Sequence, residues 1–183
     1  MKTLSEKHAL LKLRNLKTDF RDAIRQNYEH QAKDCLTCET KGACCLDAHF
    51  VNVHITKLEA VLIREKLSEF PIEKQREIDS RVEETIEKYD LKPHGDTFAQ
   101  TFACPLFEKG IGCLIHSVKP APCIQHACYE RPEDLPPDAL QTEIESQIEK
   151  LNEQTYKNFP QWLPLPLWLS QINPFKKNNA LLP

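Results

Sequence analysis

Cys35-Leu-Thr-Cys38-Glu-Thr-Lys41-Gly42-Ala-Cys44-Cys45 is the stretch on which the fold turns. Four thiols sit between positions 35 and 45, with no apolar run long enough to make a core strand or a buried helix face. Such a segment is an irregular loop organised around its sulfurs. Two residues between Cys35 and Cys38 let both thiolates turn onto one metal while the intervening amides point at them. Gly42 supplies a position tolerant of positive φ, which a tight ligating loop needs. Cys44 and Cys45 are adjacent, so their side chains are expected to diverge. Either they serve two centres, or one ligates while the other packs or stands by as a redox thiol.

Outward from this loop the chain reads as helices. Leu13, Leu16, Phe20, Ile24 and Tyr28 recur every three or four residues, predicting a helix from Ser5 to about Lys33. Val51, Val53 and Ile55 alternate with polar residues, which predicts a short extended segment over 49–55. Thr56-Lys-Leu-Glu59 has the form of a capping box, with Leu58, Val61, Leu62 and Leu67 as the apolar set behind it. Pro71 suits the first turn of a further helix with inner face Ile78, Val82, Ile86 and Tyr89. After Pro136-Pro137, a fourth helix carries Leu140, Ile144, Ile148 and Leu151. The expected fold is mainly α: one irregular helical domain over 1–183, cysteine-bearing metal loops between helices, and at most a short strand pair. Residues 35–128 form its metal-binding core. Residues 159–183 form a Pro/Trp-rich C-terminal arm, where Pro160, Pro164, Pro166 and Pro174 forbid a continuous helix. The arm is too apolar for water and is expected to dock, extended, on the core; the other reading is a partner-binding arm.

A second group of four thiols follows: Cys104-Pro-Leu, then Gly110-Ile-Gly112-Cys113-Leu-Ile-His116, then Lys119-Pro-Ala-Pro-Cys123-Ile-Gln-His126-Ala-Cys128. Residues 46–103 between the groups hold no cysteine. Cys-Pro shapes ligating loops in bacterial ferredoxins, and Gly110 and Gly112 suit a turn that presents Cys113. Cys113/His116 and Cys123/His126 share a two-residue spacing that mixed sulfur–nitrogen zinc sites accept. For both histidines a hydrogen-bonding role around the ligands is the favoured reading. His8, His30, His49, His54 and His94 read as surface or capping residues.

The chain has 183 residues, room for one ordinary domain, and only four glycines, too few for a turn-rich sandwich or barrel. Its 24 basic and 27 acidic residues leave a net charge of −3, with no general attraction to nucleic acid or anionic membrane. The basic residues of 1–25, Lys17, Arg21 and Arg25 among them, read as a solvated helix face, as do the charges intermixed over 59–90. No apolar run approaches a membrane span, and the first residues lack a secretory h-region. A cytoplasmic location is expected, where thiols stay reduced, so eight cysteines point to metal or redox chemistry instead of disulfides.

Together Cys-x-x-Cys, Gly-x-Cys-Cys, Cys-Pro-Leu, Gly-x-Cys-x-Ile-His and Lys-Pro-x-x-Cys resemble the YkgJ-type cysteine-cluster family over about residues 35–128. The resemblance implies a zinc- or iron-chelating domain. Cys35, Cys38, Cys44, Cys45, Cys104, Cys113 and Cys123 match its pattern; Cys128 lies outside it. The family has tyrosine where His116 stands, arginine where Lys119 stands and arginine where Ile124 stands. A flagellin lysine methylase carries a similar cysteine arrangement.

Soft thiolates select zinc, copper(I) or iron–sulfur clusters over hard cations. Single, widely spaced thiols favour a 4Fe–4S cluster over zinc. The metal ligand set is therefore Cys35, Cys38, Cys44, Cys45, Cys104, Cys113, Cys123 and Cys128, with the metal ion or cluster as principal partner. A protein partner through the C-terminal arm or the first helix is a further expectation. Phosphate-loop, Gly-x-Ser-x-Gly and His-Glu-x-x-His motifs are absent, so a binding protein is favoured over an enzyme. The alternatives are a redox or modifying enzyme using the cluster or a reactive thiol, such as Cys45 beside a histidine, and a metal-folded adaptor.

Overall fold

A computed structural model describes residues 3–32, 42–46, 51–129, 131–157 and 161–176. Cys35 and Cys38 therefore lie outside the described residues. The fold is mainly α, with two antiparallel pairs of two-residue strands as its sheet. The helices are α1 (Glu6–Asn27), α2 (Ala43–Leu46), α3 (Lys57–Leu67), α4 (Ile72–Lys88), α5 (Ala121–Gln125), α6 (Asp138–Tyr156) and α7 (Leu165–Gln171). The strands are β1 (His54–Ile55), β2 (Phe107–Glu108), β3 (Gly112–Cys113) and β4 (Leu163–Pro164).

Helix α3 is the wall shared by two cores. One face, Leu58 and Leu62, packs with Ala9, Leu10 and Leu13 of α1, Ala121 of α5, and Ile144 and Ile148 of α6. The opposite face, Ala60, Ile63 and Leu67, packs with Ile78 and Val82 of α4, Phe102, Leu106 and the C-terminal segment. The capping box that starts α3 is complete: Thr56 Oγ1 accepts the Glu59 N–H and the Glu59 carboxylate accepts the Thr56 N–H. Each closes an otherwise orphan donor in a buried position.

The first helix stops at Asn27, short of the expected Lys33, and a single 3-10 turn (Glu29–Gln31) follows. The short strand appears at His54–Ile55, and its partner is the tail: His54 pairs with Pro164 and Ile55 with Leu163. That tail differs from the expected extended segment. Pro164 precedes α7 and Pro166 occupies its first turn, where no intrahelical N–H is missed, so the prolines start a helix instead of preventing one. Leu163, Leu165, Leu167, Trp168 and Leu169 are all buried in the α3–α4 core.

Charge burial also departs from a solvated-face reading. Lys17 of α1 is 5 % exposed and Glu59 of α3 is 1 % exposed, and they pair at 2.8 Å. Lys17 Nζ also donates to the Val118 carbonyl at 3.4 Å. Arg64 of α3 pairs with buried Asp79 of α4 and donates to the Leu169 carbonyl of α7. These bonds tie four helices, α1, α3, α4 and α7.

Candidate metal centre

Two sequence segments meet here. Gly42 opens α2 with φ of 83°, and its carbonyl takes the Cys45 and Leu46 N–H groups at 2.9 and 3.0 Å. The glycine is required twice over: by its left-handed backbone, and because an added Cβ would stand 2.0 Å from Cζ of Phe107. Phe107 belongs to the hairpin that follows Cys104, so the ring packs one cysteine segment against the other. The joint is closed by the Cys104 N–H, which donates to the Cys45 carbonyl at 2.7 Å.

The second segment is the β2–β3 hairpin. Phe107 pairs with Cys113 and Glu108 with Gly112, and Gly110 and Gly112 make the turn at φ of 87° and 102°. The turn expected from the glycines thus presents Cys113 across from the residue that covers Gly42. Charge fixes the hairpin to α4: Glu108 pairs with Lys74 at 2.5 Å and lies 3.7 Å from Arg81, whose guanidinium also donates to the Phe107 carbonyl at 3.4 Å. Helix α5, begun after Pro120, then carries Cys123.

The thiols of Cys44, Cys45, Cys104, Cys113 and Cys123 fall within electrostatic reach of one another. Burial pushes the Cys104 thiol up to about 12, against backbone N–H groups of Leu106 and Phe107 that rest on its sulfur. Burial also raises Cys113, again opposed by a backbone N–H, that of Ile115. Cys123 is raised by burial and by Cys104 and Cys113. Two different thiols thus have main-chain donors two residues ahead aimed at the sulfur, which offset part of the burial penalty on a thiolate without overcoming it. The donor set fits a thiophilic metal; the amides meet charge on the sulfur, and burial penalises that charge until a cation is present.

Cys44 and Cys45 do not diverge as adjacency suggests. Cys44 is exposed and is held down to about 4 by hydrogen bonds from the Cys45 thiol and the His126 ring. Cys45, its hydrogen-bond partner, is raised by that bond and by burial. His126 is raised in turn by its bond to Cys44. The histidine thus stands on Cys44, not on Cys45, in the hydrogen-bonding role favoured for it. Cys128 is half-buried next to the bridge between Ala32 and Tyr129. Ala32 immediately precedes the 33–41 segment that holds Cys35 and Cys38. Among the described residues, no three His, Cys, Asp or Glu side chains stand close enough to hold one metal ion.

His116 turns away from the thiols. It lines a cavity of about 570 Å³ with Lys17, Arg21, Arg25 and Lys119, on the α1 side of the cysteine segment. The sequence signal for this was the spacing of Lys17, Arg21 and Arg25 at every fourth residue, which puts three cations on one face of α1. His54 is the other departure: it is buried, with both ring nitrogens against backbone carbonyls and its ring stacked on Phe98 at 4.3 Å. His8, by contrast, is an exposed surface residue, with Nδ1 at 2.8 Å from the Ser5 hydroxyl.

No helix among the described residues is long and apolar enough to cross a membrane. No family model, no curated protein and no solved structure matches the chain.

Proposed function

We propose that this chain is a cytoplasmic metal-binding protein of the YkgJ type, holding iron as a 4Fe–4S cluster, or zinc, through its clustered cysteines. The observation that carries the reading is the 2.7 Å bond from the Cys104 N–H to the Cys45 carbonyl, which joins two thiol groups remote in sequence. Around that joint, Cys44, Cys45, Cys104, Cys113 and Cys123 supply five sulfurs, and Cys35, Cys38 and Cys128 complete the proposed set. The described thiols do not by themselves close one site, and the number of soft sulfurs the two segments bring to one face is what supports a thiophilic metal. When bound, an iron–sulfur cluster would supply one-electron transfer, whereas zinc would close the fold as a structural cation. The protein's own part is to present thiolates, rest N–H donors of Leu106, Phe107 and Ile115 on two of them, and set Arg81 beside Cys104 as counter-charge.

The test is metal and acid-labile sulfide content on protein purified without oxygen or chelator. About four irons and four sulfides per chain, in brown protein, support the cluster. One or two zincs in colourless protein assign the site to zinc. Neither metal, with all eight thiols titrating freely, overturns the reading.

A reactive-thiol enzyme is the second reading, and the exposed Cys44 with the His126 ring on its sulfur favours it over the other thiols. Alkylation by iodoacetamide distinguishes the two. Rapid, selective modification of Cys44 in metal-loaded protein supports the enzyme, and protection of Cys44 by bound metal supports ligation.

A further inference from the structure

The cavity between α1 and the segment His116–Ile124 has an unusual charge. Its volume is about 570 Å³, within the range of pockets that enclose small molecules. Arg21 and Arg25 come from successive turns of α1, and Lys119 and His116 face them from the loop before α5. Lys17 at its inner wall is already committed to Glu59 and to the Val118 carbonyl. That leaves Arg21, Arg25 and Lys119 against Glu29 in the cavity and Asp22 beside Arg21, a formal excess of one positive charge. Asp22, beside Arg21 at 3.4 Å, is exposed and outside the cavity.

His116, on the same wall, has its pKa lowered by burial first and then by Lys119 and Arg21, with Glu29 opposing. Arg21 and Arg25, four residues apart, lie on one side of α1, guanidinium is a group that takes oxyanions bidentately, and Lys119 adds a point charge across from them. The excess of positive charge suits an oxyanion. The apolar sides of Ile24 and Ile124 leave room in the same cavity for an organic moiety.

We propose that this cavity is a binding site for a small phosphomonoester, its phosphate held by Arg21, Arg25 and Lys119. The site is separate from the thiols, although Lys119 lies between the two and acts on both His116 and Cys123. The proposal does not depend on which metal the cysteines hold.

Isothermal titration of the full, metal-loaded chain with phenyl phosphate tests it, with succinate as a carboxylate dianion for comparison. Arg21→Ala/Arg25→Ala is the site variant; both side chains are exposed, so the helix tolerates the change. Lys7→Ala/Lys12→Ala removes the same charge from exposed positions nearer the start of α1. The expected result is one saturable site for phenyl phosphate, weakened at least tenfold in the site variant and unchanged in the control. Absence of saturable binding, equal weakening in both variants, or succinate bound as tightly as phenyl phosphate overturns the proposal.

Discussion

The two halves of this molecule are held together by different physics. Around α3, side chains are buried because they are apolar, and the few buried charges are paired: Lys17 with Glu59, Arg64 with Asp79. Around Cys104, the elements are a four-residue helix, two-residue strands and a five-residue helix, joined by turns at Gly42, Gly110 and Gly112. Elements that short bury too little to order themselves. Their thiols are buried against a penalty, with amides aimed at sulfur. The helical body is ordered by its own apolar faces, whereas the cysteine segments are anchored to it by Leu106, Leu114, Ile115 and Ala121 and leave their sulfurs to the proposed metal. Each prediction below separates the two.

The largest effect is expected from removing ligands. Cys104→Ser and Cys113→Ser should reduce metal content to background, and a chelator should do the same to the native chain, since metal binding and folding of such a face are one equilibrium. The helical circular dichroism should survive, because α1, α3, α4 and α6 pack mainly through Leu, Ile, Val and Ala, with Cys104 and Cys113 only partly buried against the α3–α4 core. Collapse of the helical signal together with the metal would merge the two halves into one cooperative unit.

Next is Trp168→Ala. The indole is 2 % exposed at the centre of the α4–α7 packing, and its N–H donates to the Gln161 carbonyl. The cavity should cost about 4 kcal/mol in urea denaturation, with metal content per folded chain unchanged. Lys17→Met follows at about 3 kcal/mol, because it strands the Glu59 carboxylate in a site 1 % exposed. Adding Glu59→Gln should recover most of that loss, since the amide carries no charge and its oxygen still accepts the Thr56 N–H.

How legible these halves were in the sequence follows from the same physics. Periodicity located α3, α4 and α6 because their apolar faces are their reason for folding, and Thr56 and Glu59 announced a cap that depends on three residues only. The tail was misread as extended because proline was weighed as a breaker, whereas Pro164 and Pro166 sit where a helix begins. Its pairing with β1 is non-local and leaves no trace in either segment. The buried Lys17–Glu59 pair is invisible for the same reason: each residue alone looks like a solvated charge. At the cysteine face, spacing foresaw the Gly110–Gly112 turn, but adjacency predicted that Cys44 and Cys45 diverge. Their hydrogen bond depends on His126, which arrives from α5.

Gly42→Ala lies on the border between the halves and should cost about 2 kcal/mol, from left-handed backbone strain and from displacement of the Phe107 ring. Its consequence for metal should exceed its consequence for the helices, because Phe107 and Cys113 are register partners. Weakened metal retention with unchanged helical melting places the joint on the cysteine side; the reverse places it with the body.

The smallest effect is a pH dependence confined to the body. His54 is buried on Phe98, with Nδ1 2.7 Å from the Asn52 carbonyl and Nε2 3.0 Å from that of Thr97. Burial lowers its pKa from 6.5, and the two carbonyls oppose without prevailing. A folded pKa below the unfolded one means that the unfolded chain binds more protons as pH falls beneath 6.5. The stabilising contribution is therefore fully present above 6.5 and declines on acidification through that window. Because His116 and His126 also titrate, with shifts of opposite sign, the wild-type curve alone does not isolate His54. The difference between wild type and His54→Phe does. Urea midpoints at pH 7.5 and 5.5 should show wild type losing more stability on acidification than the variant. A smaller loss in wild type would mean that two carbonyl acceptors, which only a doubly protonated ring can satisfy, outweigh its burial. Repeating the pair of measurements on metal-stripped protein sharpens the comparison: the His54 difference should persist unchanged, since β1 and the tail that encloses it belong to the half that needs no metal.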